Sequence, residues 1–152
     1  MNLEDVLSPD SVSLDITLTD KPCAIAHAAS LLASEAGMST EVVEGALLAR
    51  EALGSTGVGG GIALPHARLH QLDKTHVVFL RLAEPIGFES NDARPVDLVC
   101  AIIAPDEPSG ELLTAVSQIS RVLRDQDKTA LLRQSHDAGE ARAILLGSAN
   151  GR

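Results

Sequence analysis

Arg50, His66 and Arg68, with the run Gly57-Val58-Gly59-Gly60-Gly61 between them, are the residues of this sequence best suited to act on an anion. A neutral imidazole is a competent nucleophile, and a hydrogen bond on one ring nitrogen fixes which nitrogen keeps the lone pair. Guanidinium groups make charge-assisted contacts with phosphate oxygens. Glycines let several backbone N–H groups converge, so Gly59, Gly60 and Gly61 are candidates for an anion cradle. Pro65 restricts Leu64 and so fixes how the chain approaches His66. Together these parts suit reversible capture of a phosphoryl group on a histidine, which needs mostly positioning and charge stabilisation. The glycines are not a Walker A loop, because no Gly-Lys-Ser/Thr follows. Nor are they a dinucleotide fingerprint, because no strong strand leads into them and no helix opens on them. Taken alone, a glycine run beside one histidine is more often the pattern of an ordinary loop with a structural histidine.

The other histidines weigh less. His66 and His70 stand four apart, a spacing that binds zinc when both lie on a helix. Pro65 precedes His66, no Glu stands between the two in the metalloprotease arrangement, and no Cys is near, so neither a metal nor a cofactor is expected. His70 is expected at the rim of the site and His76 at the start of a strand, while His27 and His136 receive no role. Cys23 and Cys100 are far apart in sequence and read as two buried thiols in a reducing compartment.

The elements that must position His66 follow from periodicity. Ser11–Ile16 alternates like a strand. Asp20 caps a helix with Pro22 just inside it, and Ala24, Ile25, Ala28, Leu31, Leu32 and Ala36 recur at helical spacing until Gly37 stops it. A second helix is expected from a Thr40 cap to Gly54, with Val42, Val43, Ala46, Leu47 and Leu53 as its apolar stripe. Glu41, Glu44 and Glu51 read as its wet face, Glu51 being set apart if it holds Arg50. The glycine run reads as a flexible turn entering a short extended segment. His76–Leu82 reads as a strand ending before Glu84-Pro85. Val96–Ala104 is nearly all apolar, as in a strand covered on both faces. Helical patterns resume from Ser109 and recur around Lys128–Gln134 and Gly139–Leu146, with Asp106-Glu107 as a solvated turn. Helices at both ends and strands in the middle predict an α/β fold, a three-layer α/β/α sandwich. One domain over residues 1–147 is expected, with 148–152 as a frayed tail.

Composition excludes several classes. The 152 residues are 45% hydrophobic but only 1% aromatic, so the core is aliphatic and there is no stacking platform for single-stranded nucleic acid. A formal net charge of −9 argues against nucleic acid and against anionic lipid. No apolar run approaches a membrane span, and the acidic N-terminal residues do not resemble a signal peptide, so a cytoplasmic location is expected.

The segment around His66 resembles the active-site segment of phosphotransferase-system enzyme IIA proteins of the fructose–mannitol type. That pattern runs from an acidic or amide residue, across six positions, to an aliphatic and a small residue. After two more positions comes aliphatic-Ala-aliphatic-Pro-His-small. Glu51, then Val58-Gly59, then Ile62-Ala63-Leu64-Pro65-His66-Ala67 meet every defined position. The likeness extends to the N-terminal helices, to Pro95–Val99 and to the Leu-rich helix after Pro105, and is strongest to the nitrogen-related, regulatory members. It implies a mixed sheet flanked by helices, His66 as phosphoryl acceptor through Nε2, and Arg50 in contact with the phosphoryl group. It also implies an HPr-type histidine phosphocarrier as donor, with regulatory proteins or a sugar-specific enzyme IIB downstream. One position departs. The family carries a second histidine where this sequence has Leu112, in Glu111-Leu112-Leu113-Thr114-Ala115-Val116, which leaves open a binding module with weakened transfer.

Overall fold

The computed structural model describes residues 2–106 and 110–147. In chain order the elements are α1 (Leu3–Val6), β1 (Val12–Ile16), α2 (Lys21–Ala36), α3 (Thr40–Ala52), β2 (Gly57–Gly59) and β3 (Ile62–Ala63). There follow β4 (His66–Leu69), β5 (His76–Ile86), β6 (Val96–Pro105), α4 (Glu111–Leu123), α5 (Gln126–Gln134) and α6 (Ala138–Leu145). The strands form one mixed sheet in the order β1-β5-β6-β3-β2, with β4 also paired to β6.

β6 organises this sheet because both of its faces are apolar. Val99, Ala101 and Ile103 join a core with α2 and α3, while Leu98, Cys100, Ile102 and Ala104 join a second core with α1, α4, α5 and α6. The period of two along the strand therefore serves two helical layers. The three layers are those the sequence predicts. α2 packs closely because its buried stripe is mostly alanine, at Ala24, Ala28, Ala29 and Ala33. Asp20 caps it by accepting from the Cys23 N–H at 2.9 Å, and Gly37 ends it in the left-handed region at φ 69°.

Five local expectations are corrected. Of the two cysteines expected to be buried, Cys100 lies inside β6 but Cys23 is exposed in the first turn of α2. Ser39, not Thr40, caps α3, since its hydroxyl accepts from the Val42 N–H. Val42 and Leu53 leave the apolar stripe for the surface, and only Val43 and Leu47 are its buried apolar residues. The glycine run is a β-hairpin rather than a free turn, because β2 and β3 pair antiparallel around Gly60 and Gly61, both at positive φ. β5 runs through Glu84-Pro85 to Ile86, because a register irregularity after Arg81 lets the strand keep its partner β6 while carrying a proline. The expected tail at 148–152 and Glu107 lie outside the described residues.

Candidate active site

His66 opens a strand that is interrupted and resumed. β3 pairs with β6 in parallel through Ile62↔Leu98 and Ala63↔Val99, and β4 does so through His66↔Ile102 and Ala67↔Ile103. The offset is unchanged across Leu64-Pro65, so the break is a rotation of two peptides and not a slip. Pro65 has no N–H to offer, but its carbonyl still accepts from the Ile102 N–H at 2.9 Å. Leu64 turns both of its backbone groups away from β6. Its N–H goes to the Thr56 carbonyl at 2.9 Å, and its carbonyl lies 2.7 Å from Nδ1 of His66. A carbonyl only accepts, so Nδ1 of the neutral ring carries the hydrogen and Nε2 keeps the lone pair.

The Leu64 peptide is itself held from a distance. The Glu51 carboxylate accepts from the Thr56 N–H at 2.8 Å and from the Thr56 hydroxyl at 2.6 Å, and pairs with Lys21 Nζ at 2.8 Å. Lys21 also reaches the Phe88 carbonyl and lies over the Phe88 ring. Burial pushes the Glu51 carboxyl up, but the bonds from Lys21 and Thr56 and the charge of Lys21 outweigh it, leaving the group below its ordinary value. Glu51 is thus neither in the wet face of α3 nor a partner of Arg50. Its reach runs through Thr56 and Leu64 to the ring of His66.

His66, Arg50 and Arg68 line one cavity of about 400 Å3 at the sheet edge, between α3 and the first turns of α4. Arg50 is half-buried, and its Nη1 donates to the Gly54 carbonyl at 2.9 Å, which fixes the guanidinium over the end of α3. Arg68 is exposed, two residues along β4 from His66. The remaining wall is apolar. Leu112 is buried at the start of α4, with Val116 behind it, while Leu53 and Leu113 stand 85% and 67% exposed at the mouth. An acceptor lone pair, two guanidiniums and a dry wall can hold an anion and receive a group from it. A second imidazole is not among the lining residues, since Leu112 occupies that wall.

The other expected members lie elsewhere. Gly59 and Gly60 line a different cavity, and Gly61 packs under Arg133 and Asp97. The Gly60 N–H already donates to the Asp92 carboxylate at 3.0 Å, so the glycines are no cradle for an anion at His66. His70 is exposed beyond the end of β4 and does not border the cavity. His76 does open β5 and is buried, which with the nearby charge of Lys74 holds its pKa below the ordinary value. Sequence reasoning missed Lys21, Thr56, Leu53 and Leu113. The exposed leucines had a weak signal in Leu53, an apolar residue just before a helix-ending glycine. Lys21 had none, because its partner lies thirty residues away.

Comparison with known proteins gives consistent results. Residues 5–147 match the family described as the phosphoenolpyruvate-dependent sugar phosphotransferase system, EIIA 2. The chain is 39% identical over 145 residues to a nitrogen regulatory protein of Bradyrhizobium diazoefficiens, covering 95% of each. Among solved structures it is similar to the nitrogen regulatory protein IIA-Ntr of Neisseria meningitidis, with a TM-score of 0.90 and 33% identity over 94% of this chain and 98% of that one. It is also similar to enzyme IIA for mannitol of Escherichia coli, solved in complex with phosphorylated enzyme IIB. There the TM-score is 0.78 and the identity 25%, over 93% of this chain and 97% of that one. No helix of the described residues is long and apolar enough to cross a membrane.

Proposed function

This chain belongs to the EIIA 2 family of the phosphoenolpyruvate-dependent sugar phosphotransferase system, and from that premise we propose that it is a phosphorelay protein that regulates other proteins. His66 accepts a phosphoryl group from an HPr-type histidine phosphocarrier in the cytoplasm, and the phosphorylated and free forms bind downstream regulatory targets differently. The observation that carries this reading is the Nδ1–H bond of His66 to the Leu64 carbonyl, in a cavity that also holds Arg50 and Arg68. In the transfer the Nε2 lone pair attacks phosphorus, and the donor's P–N bond breaks with its electron pair returning to the donor imidazole. The proton stays on Nδ1, where Leu64 spreads the positive charge, and the arginines offset the negative charge of the passing phosphoryl group. The apolar mouth of Leu53 and Leu113 is the surface the donor covers, which excludes water from the reacting atoms. Binding of regulatory targets rather than sugar transport is favoured by the likeness to nitrogen regulatory proteins over nearly the whole length.

The test is labelling. With phosphoenolpyruvate, enzyme I and an HPr-type carrier, the protein is expected to acquire one acid-labile phosphate, mapped by mass spectrometry to His66. His66→Ala is expected to acquire none and His70→Ala to label as the parent does. Full labelling of His66→Ala overturns the assignment. A second reading, a binding module with weakened transfer, draws on the apolar Leu112 beside His66 and is tested by Leu112→His.

A further inference from the structure

A second cavity, of about 460 Å3, lies between the β2–β3 hairpin and the last turn of α4 with α5. Its size is that of a small-molecule site. Arg94, Arg124 and Arg133 line it, and no acidic side chain among the described residues does, in a chain whose formal net charge is −9. Arg133 is already committed, with two bonds of 2.9 Å to the Asp97 carboxylate and one of 2.9 Å to the Gly60 carbonyl. It shapes the wall and ties the hairpin to α5. Arg94 and Arg124 form no ion pair or side-chain hydrogen bond among the described residues. Asp92 is near enough for Arg94 to help lower its pKa, but its carboxylate bonds first to the backbone N–H groups of Gly60 and Arg94. Ile62 and Leu64 supply an apolar floor, and Ser120 a hydroxyl.

We propose that this cavity, lined by Arg94, Arg124 and Arg133 over Ile62 and Leu64, binds a small phosphorylated organic molecule. Two guanidiniums without a partner among the described residues suit a phosphate. The apolar floor suits an organic body better than a bare ion. The site is separate from the phosphoryl acceptor, with which it shares no lining residue, although Leu64 borders it and holds His66 with its carbonyl.

The experiment is an NMR titration of the 15N-labelled full chain with AMP, with pyrophosphate, and with adenosine as the uncharged control, in about 0.1 M salt to screen loose attraction. Saturable shifts at Gly59, Gly60 and the Arg94 and Arg124 side chains are expected with AMP, weaker ones with pyrophosphate, and none with adenosine. Arg94→Ala/Arg124→Ala is expected to weaken binding by at least about tenfold, the order set by losing charged hydrogen bonds. Both side chains are exposed, so a well-dispersed spectrum is expected for this variant. Arg50→Ala/Arg68→Ala is expected to leave the titration unchanged, which separates this site from His66. The proposal is overturned by the absence of saturable shifts with AMP, by pyrophosphate binding at least as tightly as AMP, by equal binding of adenosine, by full binding in Arg94→Ala/Arg124→Ala, or by its loss in Arg50→Ala/Arg68→Ala.

Discussion

The first and last turns of α4 look onto two cavities that divide the chemistry of one linear motif. At the first turns, Leu112, Leu113 and Val116 face a histidine with a free Nε2 and two arginines. At the last turn, Ser120, Leu123 and Arg124 face glycines and two further arginines, with no histidine among the lining residues. The motif from Glu51 to Ala67 passes through both. Its glycines build the hairpin wall of the second cavity, its Glu51 holds Thr56, and its Leu64-Pro65 break turns the chain into the first. A continuous sequence pattern here describes a scaffold and a reacting group that the fold sets on different surfaces.

Gly61→Ala breaks this division hardest on the scaffold side. Gly61 lies at φ +83°, and an added Cβ would stand 2.7 Å from Nη2 of Arg133 and 3.0 Å from Oδ1 of Asp97. The left-handed conformation costs a side chain about 1–2 kcal/mol. Displacing the Arg133–Asp97 pair adds about 1 kcal/mol at most, because that pair is partly exposed. Urea unfolding is therefore expected to show a loss of about 1–3 kcal/mol. Labelling of His66 per folded molecule is expected to stay within about threefold, since no contact of the imidazole is touched. A labelling loss as large as that of His66→Ala would show that the two cavities are not separable.

Glu51→Gln acts on the link between scaffold and reacting group. Lys21 and Glu51 are 14% and 6% exposed, and breaking a buried pair costs several kcal/mol. Lys21 keeps the more exposed Glu89, so about 2 kcal/mol is expected. The loosened Thr56 and Leu64 are expected to slow labelling about tenfold, by misplacing the ring. The pH dependence has a definite sign. The native carboxyl titrates below its ordinary 4.5, so its stabilisation is complete above 4.5 and is lost as pH falls through the depressed value. The stability gap between parent and Glu51→Gln is expected to be constant above that range and to close below it. A gap that widens on acidification would contradict the pairing.

What the sequence disclosed tracks the range of the interaction. α2 is legible to the residue, since an Asp cap, a Pro in the first turn and a terminal Gly are local signals. β6 is legible because both its neighbours are apolar layers. The end of β5 is not, because Glu84-Pro85 carry every local sign of a stop and only the pairing with β6 keeps them extended. His66, Arg50 and Arg68 are brought to one cavity, but the glycines, named with them from adjacency alone, face another. Lys21 was out of reach for the same reason in reverse: its partner is thirty residues away and nothing near it signals the pair.

Leu112→His sharpens the reacting side. Leu112 is buried against the His66 cavity, and a histidine there adds a donor where an incoming phosphoryl group gathers charge. Faster labelling, by about tenfold, is expected, against a cost of about 1–2 kcal/mol for burying a polar ring in an apolar wall. Stopped-flow labelling and urea unfolding on one preparation separate the two. An unchanged rate would mean that Leu112 does not limit transfer, and the reading of weakened transfer would go with it.

The smallest effect on the fold is expected from Leu53→Ser and Leu113→Ser, and this is what makes them informative. Both side chains are largely solvated, so each substitution is expected to change stability by no more than about 0.5 kcal/mol. Neither side chain can hydrogen-bond the imidazole or a guanidinium, so the maximal labelling rate is expected to hold. What they lose is apolar area that a docked donor would cover. Partial burial of a leucine is worth about 1.4 kcal/mol, or tenfold in affinity, so the donor concentration giving half-maximal labelling is expected to rise about tenfold for each. The same pair is expected to leave the titration at the arginine cavity untouched, because that surface lies at the other end of α4. If the half-maximal concentration does not move, the apolar mouth is not the donor's surface. The difference between the two cavities then rests on the histidine and its hydrogen bond alone.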